Sequence, residues 1–531
     1  MERWTRRCAA AAMAVAGSLV IAGAAVPHAA GAAPAAPTIS WTACADAPQV
    51  DCGTLTVPLD YQRPNGSTIK LALERRKADD QAHKIGSLFV NPGGPGGSGR
   101  AYGRNAERVF GKDVVARFDV IGFDPRGISL SSGLRCFATD AEFEAVLGAV
   151  PSVPLSSGEI ADTLAANRKY TQACGRNAGP LLRHMSTLNV VKDLDVMRQA
   201  VGDAKLNFVG FSYGTLIGAT YANVFPNKVR ALVLDGPVDA DRRTNDRIPN
   251  KLDRAGGFET ALAAFLANCQ SSATACPLYG GSLTPRQKFD KLRERLRTGP
   301  LPAGGTGVVT ISSFTDAVGS ALYRLDRLKP LATELNRVYD LAFGSAASKR
   351  SAQAAPLSML TQRRVGPSFD QQPGPLAATG DAYSYNSVDA NYAVNCVDAP
   401  MPRDQRKYPP LAAAFETAHR TFGRSELYGE VACATWPVVT KERYAGPWDR
   451  KTSAPVLVIG QTFDPATPYT MATHLAFELG NAQLLTIDGF GHCSQASVCS
   501  ANARAKYLLT QQLPDPGSRC GQDTVPFPAA T

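Results

Sequence analysis

Histidine is scarce in this sequence. Six occur in 531 residues, and beyond the N-terminal stretch only His83, His184, His419, His474 and His492 remain. Chemistry that needs a neutral-pH base therefore has few candidates. Cysteine spacing of the kind that holds zinc is absent. After the first thirty-odd residues no segment approaches the unbroken apolar length that spans a bilayer. The formal charge of +10 is scattered, with small clusters such as Arg75-Arg76-Lys77. No basic stripe is interleaved with aromatics, so the excess reads as a solvated basic surface and nucleic acid is not an expected partner. Charged residues make up only 19% against 44% apolar ones, an ordinary globular balance. The length fits one large domain with an insertion, or two domains.

The N-terminus departs from this average. Arg3, Arg6 and Arg7 precede an apolar run from about Ala9 to Val26, and small residues follow from Ala29 to Ala36. That order is the one of an export signal, expected over 1–36 and cut between Ala30 and Ala36. Arg6-Arg7 hints weakly at a twin-arginine route, and Cys8 is badly placed for lipidation. The protein is expected to be secreted and extracellular, with association to a cell wall left open, and monomeric. Of twelve cysteines, eleven remain after the signal, a density that suggests disulfides in an exported protein. The odd count leaves one thiol over.

The chain is organised around Gly210-Phe211-Ser212-Tyr213-Gly214. Leu206-Asn207-Phe208-Val209 before it reads as a short buried strand, and Thr215 to Asn223 after it as a small-residue helix. This context makes G-x-S-x-G a nucleophile elbow: the turn strains the serine and lifts its hydroxyl clear of the sheet. Upstream, the apolar strand Ser87-Leu88-Phe89-Val90 runs into Asn91-Pro92-Gly93-Gly94-Pro95-Gly96-Gly97-Ser98-Gly99. Such a glycine density costs entropy and implies a local function, here close approach of the backbone to a reacting carbonyl. Phe118 to Asp124 is a further strand, and Asp124 and Arg126 beyond it read as residues that fix a loop beside the site. Leu188 to Val201 forms an amphipathic helix, with apolar residues near 3.6-residue spacing. Val229 to Leu234 is the strand after the elbow.

Strand–helix alternation stops near Val238. Residues 240 to 450 read as mostly helical with loops rich in Gly, Pro and Ser, and the sheet resumes at Ala454 to Gly460. The expected organisation is a core over 37–237, a helical lid over 238–450 and the rest of the core over 451–531. Asp464 falls just past the resumed strand, and His492 past the next one, Gln483 to Ile487. The order Ser212, Asp464, His492, each beyond a strand end, is that of α/β-hydrolases, in which serine attacks, histidine shuttles the proton and the acid orients the imidazole. Asp235 is a serious rival for the acid and Asp488 a lesser one. The backbone N–H groups of Tyr213 and Gly94, with Gly93 as the alternative, are the expected oxyanion donors. No cofactor and no metal are expected.

The glycine-proline loop, Asp124-Pro125-Arg126-Gly127, the Phe-Ser-Tyr elbow and Gly489-Phe490-Gly491-His492 resemble the secreted tripeptidyl aminopeptidases of actinobacteria, relatives of proline iminopeptidases. The likeness spans roughly 40 to 522 and extends to Asn395-Cys396-Val397-Asp398 and Leu513-Pro514…Cys520. It implies an α/β-hydrolase fold with a helical lid, peptide or protein substrates and release of tripeptides, the triad and oxyanion roles carrying over onto Ser212, Asp464, His492, Gly94 and Tyr213. It also implies a Cys499–Cys520 bridge beside Cys44–Cys52, Cys136–Cys174, Cys269–Cys276 and Cys396–Cys433, with Cys493 left over and a Cys493–Cys499 bridge as the rival. An aminopeptidase must bind an ammonium group. Asp398, with Asn395 as its hydrogen-bonding neighbour, is the first candidate, against the plainer reading of a surface acid beside a disulfide. An iminopeptidase, an esterase with the same triad and a non-catalytic binding protein remain the alternatives.

Overall fold

The computed structural model describes residues 37–304, 307–354, 357–361, 385 and 387–528. The expected signal at 1–36 lies outside them. Ten strands form one sheet. They are β1 (Ser40–Cys44), β2 (Ala47–Pro58), β3 (Thr68–Arg76), β4 (Gly86–Asn91), β5 (Phe118–Phe123), β6 (Leu206–Phe211), β7 (Val229–Asp235), β10 (Val456–Phe463), β11 (Ala482–Phe490) and β12 (Arg519–Gly521); a two-stranded ribbon, β8 (Leu301–Pro302) with β9 (Val308–Val309), stands apart. The order across the sheet is β1-β2-β3-β5-β4-β6-β7-β10-β11-β12. The first three strands pair antiparallel, as does β3 with β5; every pairing from β5 to β12 is parallel.

Helices cover both faces of the parallel half, which is why its strands read as continuous apolar runs. Every residue of β4 and β5 is buried. Alternate side chains feed two separate cores. Phe89, Phe208, Leu232, Leu234, Val456 and Val458 pack with the helices Thr187–Ala200 and Gly214–Val224 on one face. Leu88, Val209, Val233, Leu457 and Ile459 pack with Phe110 and Tyr507 on the other.

Between β7 and its sheet neighbour β10 the described chain adds no strand to this sheet. It forms helices instead, the longest being Arg247–Ser271 and Leu325–Phe343. These have their own apolar core, with Phe258, Phe265, Phe289, Phe314 and Leu335 at its centre. Helix Ser387–Asp398 behaves differently from a peripheral cover. Its Val388, Ala393 and Val397 join the core of the sheet, and Asp389 accepts from Cys136 N–H (2.9 Å) and Tyr170 Oη (2.9 Å). Five disulfides form, namely Cys44–Cys52, Cys136–Cys174, Cys269–Cys276, Cys396–Cys433 and Cys499–Cys520, as the family likeness implied. Cys493 lies outside them and the rival Cys493–Cys499 bridge is not formed.

Arg126 is a structural residue. Its guanidinium, wholly buried, grips Asp193 on helix Thr187–Ala200 with two bonds of 2.7 and 2.8 Å and donates to the carbonyls of Leu59, His184 and Pro58. Tyr61 Oη donates to the same aspartate at 2.7 Å. Removing one partner of such a pair strands a buried charge, so Asp193→Asn is expected to cost about 3 kcal/mol of stability, measured as a fall in the denaturation midpoint at unchanged slope.

Acids crowd where helix Tyr469–Glu478 meets the start of the helical insertion. Burial, then the charges of Asp239 and Asp241, push Glu478 up to about 7 from its ordinary value near 4.5. A raised carboxyl pKa penalises the folded state only once the group ionises, so the penalty is absent below pH 4.5 and complete above pH 7. Glu478→Gln is therefore expected to raise Tm at pH 8 and leave it unchanged at pH 4. The gain, discounted for partial solvent screening, is about 1 kcal/mol, and a pair of melting curves reads it.

Candidate active site

The site forms at the C-terminal edge of the parallel strands, where open α/β sheets leave room for ligands. β6 ends at Phe211, and Ser212 follows with φ +54°, a left-handed conformation that a non-glycine residue adopts under constraint. The constraint is visible in the packing. A Cβ at Gly210 would sit 2.3 Å from the Gly214 carbonyl, and one at Gly214 would sit 2.7 Å from the Asn91 carbonyl. Both glycines of the motif are there because strand, helix and the end of β4 cross at backbone contact.

The glycine-rich loop follows β4 and lies against this elbow. Asn91 Oδ1 accepts from Gly93 N–H at 3.0 Å. Gly93, at φ +97°, lies so close that a Cβ would meet the Phe211 carbonyl at 2.5 Å and the Tyr213 nitrogen at 2.9 Å. Among the described residues, the backbone N–H groups of Gly94 and Tyr213 donate to no protein acceptor. The loop is held from outside by Ser98 Oγ donating to Asp124 Oδ1 (2.5 Å), Tyr385 Oη donating to the Gly96 carbonyl (2.6 Å) and Asn391 Nδ2 donating to the Pro95 carbonyl (2.9 Å). Burial pushes Asp124 up to about 6, with Ser98 opposing. The expectation that Asp124 fixes a neighbouring loop accords with this contact.

Asp464 is the first residue after β10, and His492 stands two residues beyond β11. The imidazole Nδ1 lies 2.9 Å from both carboxylate oxygens. Backbone N–H groups of Ala466 and Thr467 donate to Asp464 Oδ1, and those of Cys493 and the Thr467 hydroxyl to Oδ2, all between 2.9 and 3.0 Å. The carboxylate, only 1% exposed, thus has both oxygens fully engaged by protein donors. The histidine loop is pinned by His492 N–H to the Tyr323 carbonyl (2.9 Å), by Gln461 Nε2 to the Gly491 carbonyl (2.6 Å) and by the Tyr323 ring, edge-on at 5.0 Å.

The elbow and the histidine loop meet at Asp235. Its carbonyl accepts from Ser212 N–H at 2.9 Å and has Cys493 Sγ at 3.5 Å. Its carboxylate accepts from the N–H and hydroxyl of Ser494 and faces Arg504 Nη1 at 3.5 Å. The rival acid is thus spent on the backbone behind His492, while Asp464 holds the imidazole. Asp488, the lesser rival, pairs with Arg519 on the surface.

Models of two known families match this chain: "alpha/beta hydrolase fold" over residues 86–274 and "TAP-like protein" over 419–520. Serine protease Hip1 of Mycobacterium tuberculosis is 33% identical over 503 residues, 91% of each chain. The tripeptidyl aminopeptidase of Streptomyces lividans is 30% identical over 508 residues, 92% of this chain and 88% of its own. The chain belongs to the tripeptidyl aminopeptidase-like α/β-hydrolases. It is a serine hydrolase. Carboxylesterase B of M. tuberculosis is 32% identical over 523 residues, 94% of each chain.

Asp398 and Asn395 of this hydrolase lie behind Tyr213, and Asp398 is not a surface acid. Asp398 is 5% exposed, and its oxygens accept from the Thr187 N–H (2.9 Å) and hydroxyl (2.5 Å). That hydroxyl also contacts Tyr213 Oη at 2.5 Å. Burial raises the Asp398 carboxyl above its usual range, with Thr187 opposing. Asn395 Oδ1 accepts from Arg243 Nη2 at 2.7 Å, and its Nδ2 donates to Asn391 Oδ1 at 2.7 Å. Thr467, Tyr323, Gln461 and Arg243 were not singled out from the sequence. Only Thr467, three residues after the acid in a proline-flanked turn, had a local cue.

Proposed function

We propose that this chain is a secreted serine exopeptidase that releases short peptides, tripeptides foremost, from free N-termini through an acyl-enzyme. The observation that carries the catalytic part is the His492 imidazole held at 2.9 Å by both oxygens of a buried Asp464, beside the loop that bears Ser212. In this reading Ser212 Oγ attacks the scissile carbonyl and His492 takes its proton. The oxyanion develops against the N–H groups of Tyr213 and Gly94, and His492 then protonates the departing amine. Water repeats the cycle and frees the peptide. Asp464 keeps Nδ1 protonated, so Nε2 is the basic nitrogen.

The tripeptide part is supported by the relative named tripeptidyl aminopeptidase. Secretion is supported by the composition of 1–36 and by the five disulfides; no described helix is long and apolar enough to cross a membrane. Asp398 and Asn395 serve the site through Thr187, Tyr213 and Arg243, not by direct contact with an ammonium group. A carboxylesterase is the second reading, favoured by the relative of that name.

The test is a matched panel of chromogenic amides of one, two and three residues, each with a free and an acetylated N-terminus, given to the protein and to Ser212→Ala. Ser212-dependent cleavage of only the free three-residue amide is expected. Preference for single prolyl amides means an iminopeptidase. Indifference to acetylation removes recognition of the free N-terminus and leaves the esterase reading.

A further inference from the structure

Arg243 is a buried cation that forms no ion pair among the described residues. It sits in the short helix Ala240–Asn245, just past the end of β7, and is 8% exposed. Among the described residues no carboxylate lies within ion-pair distance of it. Among the described residues the guanidinium donates one hydrogen bond, to a neutral acceptor, Asn395 Oδ1. Nε and Nη1 bond to no described group. Burial, reinforced by Arg247, pulls the guanidinium down to about 9.

Its neighbours do not neutralise it. Arg247 and Lys251 both pair with Glu430, and Lys251 and Arg254 both pair with Glu426. Burial alone would raise Glu430, yet Arg247 and Lys251 hold it near 2. Asp398 accepts from Thr187, and its charge reaches Arg243 only from beyond ion-pair distance. Four cations, Arg243, Arg247, Lys251 and Arg254, therefore face three carboxylates, Glu426, Glu430 and Asp398. A lone buried charge is expensive to keep, and burial of one at a site calls for an opposite charge from a ligand.

The position is close to the chemistry. The guanidinium carbon lies 5.4 Å from the ring centre of Tyr213, the residue after Ser212. Through Asn395 and Asn391 the same side chain connects to the Pro95 carbonyl, one residue past Gly94. Asn395 and the aromatic face orient the fork, and its Nε and Nη1 N–H groups have no partner among the described residues.

We propose that Arg243 is the specificity-determining residue of the acyl pocket and receives a substrate carboxylate, the side chain of Asp or Glu on the acyl side of the scissile bond. This rests on the serine-hydrolase reading of the site and holds for amides or esters alike. A planar guanidinium fork matches a carboxylate with two parallel bonds, which neutral and basic side chains cannot use.

The test compares Ala-Ala-Glu, Ala-Ala-Ala and Ala-Ala-Lys 4-nitroanilides, and in parallel the umbelliferyl esters of glutarate (mono-ester) and valerate, which are equal in length. The readout is the ratio of kcat/KM within each pair, which general damage to a variant does not move. The intact enzyme is expected to favour Glu over Ala, and glutarate over valerate, by about tenfold or more, the scale of a charge-assisted bidentate contact. Arg243→Met should bring both ratios below one. Arg243→Lys and Asn395→Ala, which retain the charge, should lower them severalfold, mainly through KM. Those two variants keep the test readable should Arg243→Met not fold, as a melting curve would show. Ratios at or below one in the intact enzyme, or ratios unmoved by all three variants, overturn the proposal. Cleavage of the neutral tripeptide anilide with no acidic preference would sink the Arg243 assignment alone. Ester turnover with acidic preference but no anilide cleavage would sink the peptidase reading alone.

Discussion

Asp464→Asn is expected to lower kcat by about four orders of magnitude with little change in KM, the scale seen when a triad loses its acid. The reason lies in what surrounds the carboxylate. It accepts from three backbone N–H groups, one hydroxyl and the imidazole. An amide has one accepting oxygen. If its NH2 faces His492, Nδ1 must accept, the proton moves to Nε2, and the histidine can no longer take a proton from Ser212. If the NH2 faces the other way, it opposes the N–H donors of Ala466, Thr467 or Cys493. Asp235→Asn provides the contrast. Its carboxylate serves Ser494 and Arg504 behind the loop, so that variant should lose stability before it loses chemistry. Side-by-side kcat values on one activated ester decide the matter. Equal losses in the two variants would mean that the acid has been misassigned.

These two aspartates also show what a sequence of this kind makes legible. The elbow, the glycine loop and the acid and histidine loops each sit within a few residues of a strand end, and their chemistry is written locally. Ser212, Asp464 and His492 could be singled out for that reason, and Asp235 could not be eliminated, because it too follows a strand. Only the register of β7 against β10, which aligns Asp235 with Ile459, puts its carboxylate behind the histidine loop. Strand β12 escaped notice: three residues with one buried position carry no periodic signal. Arg242 and Arg243 make the same point within one helix. Both belong to the polar run Asp239-Ala240-Asp241-Arg242-Arg243-Thr244-Asn245, in which no apolar spacing separates one face from the other. Arg242 pairs with Asp253 in partial exposure, whereas Arg243 turns inward onto Tyr213. Helix Ser387–Asp398 likewise lies deep in the core of the sheet although the sequence around it reads as part of a lid. Local pattern names the elements; which face of a helix meets which loop is a tertiary fact.

Gly93→Ala is expected to lower kcat about a hundredfold to a thousandfold, the loss that follows when an oxyanion donor is displaced. The added methyl group would meet the Phe211 carbonyl at 2.5 Å, Ser212 Cβ at 2.8 Å and the Tyr213 nitrogen at 2.9 Å, at a residue with φ +97°. None of these is the end of a flexible side chain that can swing away. Either the glycine loop retreats, taking the Gly94 N–H with it, or the elbow shifts and Ser212 leaves its position. Ordinary left-handed strain is a separate and smaller effect, about 1–2 kcal/mol. Gly202→Ala isolates it, since Gly202 has φ +81° with nothing within 4 Å of the new methyl group. That control should lose melting temperature and keep kcat. A Gly93→Ala protein with kcat within twofold of the parent would show that the loop does not hold the oxyanion, and the donor would then have to be sought on the insertion side of the cleft.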